Sequence, residues 1–567
     1  MKTLCCYGVF SVVLVASCDP NAVFSQTLQL SATEKPPVLT VAQNEPSTAS
    51  FGGRTPTGWI SCYNDYTHAN AQPPLRSFTT CSVWRPPSEG VQVISIVGEA
   101  PSFCNDPAPS GDPWVISDPS APNRALLLSL MQWRTVTGVV RRSIGLTILE
   151  QDSVGVVRQL VPMRPITGSG IEGPPSSAEA TETDISPDRP SIACEQDPDS
   201  QGNRRCYIVF KQFRKLRIMA PTGGVRIVNQ SRIVVSWRDS ASEIQQGWSL
   251  PMPIRLADAD DPTDSEGWTN QPTRIPEERR IQHAPQIAVD RRTRSVAVAV
   301  SFFHPDLGRE GNYFVGVSSG RSTVGWAAFP VTQSSVPNSL PVRQAHQDNS
   351  VFRHPWGIDN VLFRGNPVPA LAFDEARGRW VLAFTSLLPG YVASSNPREN
   401  RQTARDALFV TSSPTGSAGS WSTPQQISNP APLLSFEGRS IARDIIFPSI
   451  TYDRSNERLT IGWQESVDTV DTNPSTSERF LDNSRWRPVL RQSRDGTTWG
   501  APYELGTSSL DSKLERNGGP FPFVGDYTSV ASRGGYVFYS WPAIRVTPSG
   551  DPLSETTDIF GAEVQFP

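Results

Sequence analysis

Apolar positions along the chain come in short runs of β-branched and aromatic residues, bounded by Gly, Pro, Asn and Asp, and long stretches with a helical period are hard to find. That pattern predicts an all-β protein. Five of the runs share one form: a proline, four residues, then an acid. They are PWVISD (Pro113 to Asp118), PSIACE (Pro190 to Glu195), PQIAVD (Pro285 to Asp290), PALAFD (Pro369 to Asp374) and PSITYD (Pro448 to Asp453). Each leads through a polar turn containing arginine into a second apolar run, such as ALLLSLMQW, YIVFKQF or LTIGWQE. A sixth copy, TSVASR (Thr528 to Arg533), lacks proline and acid but leads into YVFYSW in the same way. The copies start 77 to 95 positions apart. Self-similar strand–turn–strand units at this period predict a six-bladed β-propeller. The acid is expected to accept backbone N–H groups of the turn that follows it.

The second half of the unit recurs as well. A strand runs into a Ser/Gly-rich turn, a tryptophan and a short segment with proline, at Trp248, Trp326, Trp421 and Trp499. Each blade is therefore expected to hold four strands, with this turn between the third and fourth. The last unit stops after its third strand, DIFGAEVQF, whereas VQVISIV (Val91 to Val97) is a clean strand just ahead of the first unit. That N-terminal strand is expected to complete the last blade and close the ring, removing two free edges. The division that follows is a signal peptide over 1–17, a linker or extension over 18–90 carrying Cys62 and Cys81, and the propeller over 91–567.

The first residues carry one lysine and an apolar run too short to span a membrane, as in a secretory signal. Val15-Ala16-Ser17-Cys18 also has the form of a bacterial lipobox, with Cys18 as the lipidated residue; ordinary cleavage by signal peptidase is the alternative. Export permits disulfides. Cys194 and Cys206 flank a turn-rich stretch and are expected to bridge a hairpin, while Cys62, Cys81 and Cys104 offer one pair and one spare thiol. The formal net charge is only −4, which gives no reason to expect a nucleic-acid partner. A monomer is expected, touching a membrane through a lipid anchor only, in the periplasm or at the cell surface, or else secreted.

The clearest of the tryptophan turns, SRDGTTWGAP, resembles the Asp box of the sialidase superfamily, also called the BNR repeat. Ser493, Asp495, Gly496, Thr498 and Trp499 match the box with one residue missing between Asp and Gly. The resemblance covers roughly Val91 to Pro567 and implies a structural role for these residues, with any site on the opposite face. For a sialidase it further implies an arginine cluster gripping a carboxylate. It also implies a tyrosine nucleophile activated by a glutamate, with an aspartate as acid/base. Tyr527, ahead of the inner strand of the last unit, fits the nucleophile's context. Arg280, Arg364 and Arg443 each stand five residues before a repeat proline and could grip a carboxylate; salt bridges at the surface or between blades are the alternative. Glu465 or Asp526 could partner Tyr527.

Other expected parts depart from the family pattern. The one Arg-Ile-Pro, Arg274 to Pro276, stands in the wrong place, and no acid/base aspartate can be named in the first two units. Long connectors before the third, fourth and fifth units carry His354 and Trp356, suited to a sugar. Asp258, Asp260 and Asp264 lie in an acidic connector that could bind Ca2+, with a solvated loop as the alternative. The histidines show no metal-ligand spacing, and no other metal or cofactor is expected. The expected function is an exported binding module for carbohydrate or a surface protein, without a complete catalytic set. The alternative is a retaining glycoside hydrolase of exo-α-sialidase type acting on an acidic sugar.

Overall fold

In the computed structural model the described residues comprise the strands and the tight turns joining them. The principal stretches outside them are most of 1–22, 30–42, 66–78, 167–185, 257–280, 331–367, 388–405 and 512–526. The described strands make seven antiparallel blades. Their inner strands are Gln43–Phe51, Cys104–Ser117, Ser186–Cys194, Ile281–Val289, Ala370–Asp374, Ile445–Asp453 and Ser529–Arg533, which define blades 1 to 7. Each inner strand packs on the next, and the seventh packs on the first. The ring is closed.

Blade counts differ from the six four-stranded units expected. Residues that the sequence reading leaves outside the propeller supply three strands of blade 1, Gln43–Phe51, Gly58–Asp65 and Thr79–Trp84, and Val91–Ser95 is its fourth. The strand at Val91–Ser95 pairs within this blade, Trp84 opposite Val91, and does not complete the last one. Closure falls instead to Val23–Gln29, which lies antiparallel to Pro552–Gln565 of blade 7. Blade 1 escaped the pattern because its inner strand, PSTASF from Pro46, keeps the proline but has Phe51 where the acid belongs. Nor are the blades uniform. Blade 2 has two short outer strands, Val157–Gln159 and Arg164–Pro165, both on Val140–Gln151. The outer strands of blades 3 and 4, Met252–Leu256 and Trp326–Pro330, pair in parallel and merge the two blades into one sheet.

The near-continuous apolar runs are explained by burial on both faces. In the second strand of blade 2, Ala125 and Leu127 pack towards blade 1, while Leu126 and Leu128 pack towards blade 3. One buried cluster fills each seam round the ring. The tryptophan after the third strand fits this scheme. Trp248, Trp421 and Trp499 join the seam that each blade shares with the blade before it. Hydroxyls add a second tie: Ser47 Oγ accepts Val115 N, Ser529 Oγ accepts Thr48 N and Ser449 Oγ accepts Val530 N, each across one seam.

The repeat acids accept turn N–H groups as expected. Asp118 takes Ser120 N, Asp290 takes Arg292 N, and Asp453 takes Ser455 N together with Gly534 N and Gly535 N of the neighbouring blade. In the turn after Arg485–Ser493, Ser493 Oγ accepts Gly496 N and Asp495 accepts Thr497 N and Thr498 N. These bonds, the Thr498 N–H foremost, hold the Asp495 carboxyl below the usual carboxylate range. Blade 5 repeats the motif without the aspartate, Gly416 N donating to Ser413 Oγ. Cys62–Cys81 ties the second and third strands of blade 1, and Cys194–Cys206 ties the first two strands of blade 3. Two disulfides fit an oxidising compartment. Among the described residues no helix is long and apolar enough to cross a membrane.

Candidate functional site

The inner strands surround a central channel of about 350 Å³, lined by residues of all seven blades. At the end where these strands begin, one position recurs: the residue just before the repeat proline. Round the ring it is Glu45, Asp112, Arg189, Ala284, Val368, Phe447 and Tyr527, the last preceding Thr528, which replaces the proline. The backbone is irregular there. Glu45, Asp112, Arg189 and Phe447 adopt positive φ (58°, 49°, 48° and 52°), and the strand register slips beside each of them. Positive φ in a non-glycine residue costs about 1 kcal/mol or more and is held only where surrounding structure dictates it. Here proline removes the N–H that would continue the ladder, so the strand bulges at its entry.

Four members of this ring, from blades 7, 1, 2 and 3, form a polar arc. Glu45 is buried and accepts Asn64 Nδ2 at 2.7 Å, while Asn64 Oδ1 accepts Asp112 N at 2.7 Å. Gly111 has φ 115°, and a Cβ there would stand 3.0 Å from Asn64 Oδ1, so only glycine suits this approach. Asp112 Oδ2 in turn accepts Arg189 N at 3.3 Å. The Asp112 carboxyl is pushed well above its ordinary range, by burial first and then by the charges of Glu45 and Asp188 and a side-chain hydrogen bond with Glu45, with Arg189 opposing. All of these influences except Arg189 favour the protonated form of Asp112.

Tyr527 closes the arc. Its hydroxyl donates to the Pro113 carbonyl at 3.1 Å, and its ring lies 6.0 Å from that of Trp114. Burial, then the charges of Glu45 and Asp112, push the phenol well above its ordinary value. It is a neutral phenol. The sequence singled out Tyr527 but missed Glu45, Asp112, Asp188 and Arg189. Aligning the repeats on their prolines and reading the column one position earlier would have found all of these but Asp188.

Glu465 is placed elsewhere, at the end of the second strand of blade 6, Arg458–Ser466. It accepts Arg443 Nη1 at 2.6 Å and Arg487 Nη2 at 2.6 Å, and Arg487 also reaches Glu504 at 2.5 Å. Burial raises the Glu465 carboxyl despite these cations. Arg443 is thus committed to a carboxylate of its own blade. Arg280, Arg364, His354, Trp356, Asp526, Cys18 and the acidic connector with Asp258, Asp260 and Asp264 all lie outside the described residues. Among the described residues no group of three or more His, Cys, Asp or Glu side chains is arranged to hold a metal ion.

No family model and no curated protein matches the chain. Among solved structures it is similar to a Hadza microbial sialidase, Hz136, at 12% identity over 98% of this chain and 96% of that one, with a TM-score of 0.35. It is similar also to an N-acetylgalactosamine deacetylase from F. plautii solved with blood group B trisaccharide, at 15% identity over 68% and 91% of the two chains and a TM-score of 0.30. An inulosucrase from Halalkalicoccus jeotgali matches at 11% identity over 70% and 92%, TM-score 0.31. Likeness this slight decides nothing about function. The propeller itself is read from the strands.

Proposed function

We propose that the chain is an exported propeller that binds carbohydrate at the mouth of its channel and does not hydrolyse it. The observation that carries this reading is the polar arc of Tyr527, Glu45, Asp112 and Arg189 at one register of the ring. Its donors and acceptors lie beside aromatic rings, the mixture that sugar hydroxyls require. A nucleophilic phenol needs a lowered pKa or a base to take its proton. Tyr527 instead donates to a backbone carbonyl and is held neutral.

Further contacts would come from the connectors carrying Arg280, Arg364, His354 and Trp356. The turn at Ser493, Asp495, Gly496 and Trp499 serves as a structural Asp box of sialidase type on the opposite face, and Cys18 carries a lipid anchor. One observation favours a second reading, a retaining glycoside hydrolase: the Asp112 carboxyl, raised well above its ordinary range, stands in the same arc as Tyr527, as a general acid would. The test pairs a glycan-binding array with a fluorogenic sialoside assay on the purified protein, using Tyr527→Phe and Asp112→Asn. Binding without turnover, weakened at least fivefold by Asp112→Asn and little changed by Tyr527→Phe, supports the binding reading. Turnover by the wild type that Tyr527→Phe abolishes would overturn it.

A further inference from the structure

The other end of the channel has a different chemistry. Here the inner strands end in the turns that follow the repeat acids, and arginines crowd the rim. Most are neutralised: Arg291 pairs with Asp197 of the preceding blade, and Arg379 and Arg377 with Asp374. Arg454 lines the channel and places both Nε and Nη2 on one oxygen of Glu375, leaving its Nη1 without a partner among the described residues. Arg533, at the end of the inner strand of blade 7, has no carboxylate partner among the described residues. Its Nη1 donates to the hydroxyl of Ser50 at 3.2 Å.

The acid whose charge favours the Arg533 guanidinium, Asp453, is already engaged. Asp453 accepts three backbone N–H groups, from Ser455, Gly534 and Gly535. Arg533 is half-buried and faces a second cation. Burial and the charge of Arg454 both act against its guanidinium, and Asp453 compensates only in part. Beside Arg454 the channel wall includes the hydroxyls of Ser50, Thr451 and Ser532, the last donating to Thr451. A cation taken partly from water without a counter-charge is costly, and an anion supplied from solution would offset that cost.

We propose that this lower mouth binds a small tetrahedral oxyanion, phosphate or sulfate, between Arg533 and Arg454. Planar guanidinium groups match the oxygens of such an anion two at a time, and the serine and threonine hydroxyls supply neutral donors to the rest. The ligand is small because it enters the end of a closed ring. The site is independent of the polar arc at the opposite mouth, so either can fail without the other.

The test is calorimetric titration of the full-length protein with inorganic phosphate, and separately with sulfate, at ionic strength held constant with chloride. Saturable binding is expected, weakened about tenfold or more by Arg533→Gln and by Arg454→Gln, since each removes a charge-assisted contact. Arg533→Lys keeps the charge but not the fork and is expected to fall between. Arg164→Gln, which removes an exposed arginine paired with Glu99 in blade 2, leaves binding unchanged. Absence of saturable heat with wild-type protein overturns the proposal, and so does wild-type affinity in Arg533→Gln. Should Arg533→Gln lose its cooperative melt, wild-type protein and Arg454→Gln decide the question by the same criteria.

Discussion

The repeat acid offers the sharpest test of how this sequence makes its fold. Asp453 and Asp118 occupy the same place in the pattern, yet the structure loads them differently. Asp453 is 3% exposed and accepts Ser455 N at 2.9 Å, Gly535 N at 2.7 Å and Gly534 N at 3.3 Å, the last two from the next blade. Asp118 accepts the N–H and the hydroxyl of Ser120, both exposed. A buried N–H stripped of its acceptor costs about 1–3 kcal/mol, whereas an exposed one regains water. Gly535 N is buried and the other two are partly so, which puts Asp453→Ala at about 3 kcal/mol and Asp118→Ala at about 0.5–1 kcal/mol. Urea denaturation of both variants, read as a midpoint shift at unchanged slope, measures the difference. Asp453→Asn keeps one acceptor oxygen and should lie between. Equal losses, or a loss below about 1 kcal/mol for Asp453→Ala, would refute the view that this acid ties one blade to the next.

Further outcomes follow from other contacts. Asp112 binds its proton more tightly in the folded chain than unfolded, so stability falls as pH rises from the ordinary carboxylate range through the raised folded value; Glu465 and Glu563 act in the same sense. In melting temperature against pH, Asp112→Asn should flatten this decline in part, and parallel profiles would show that the carboxyl pair holds no proton. Replacing Cys194 and Cys206 by serine opens a loop with a sequence separation of 12 and should lower stability in urea by about 3 kcal/mol, a loss that a reductant exceeds in the wild type because it opens Cys62–Cys81 as well. Gly462→Ala would put a Cβ 2.6 Å from the Tyr539 ring and should destabilise by about 1–3 kcal/mol, whereas Gly53→Ala meets open space and should leave the melting temperature almost unchanged.

How much was legible depended on which residue carried the signal. Proline and acid recur because each has a local job, the one ending the ladder at the strand entry and the other satisfying the turn. A pattern built from local jobs survives in sequence. It failed at blade 1, where Phe51 is buried in the seam with blade 2 and takes the place of the acid. It failed again at Val23–Gln29, whose partner lies at the far end of the chain, a distance at which no local pattern signals pairing. The site was half legible. Tyr527 stood out by its chemistry, but Glu45, Asp112 and Arg189 come from three blades and meet only once the ring is built. Their shared register is visible in hindsight because the strained position before each proline is fixed by the backbone, while the side chain there is left free to vary.

The pairing of Val23–Gln29 with Pro552–Gln565 also dictates an order of events. Joining segments separated by almost the whole chain carries a loop-closure penalty on the order of 5–6 kcal/mol, so this pair gains little until the blades between are in place. Val23–Gln29 must wait for Pro552–Gln565 to be made. The blades between assemble first, and this pair closes the ring as the final act. A circular permutant that joins the two strands in sequence should fold faster than the natural chain while ending in the same ring.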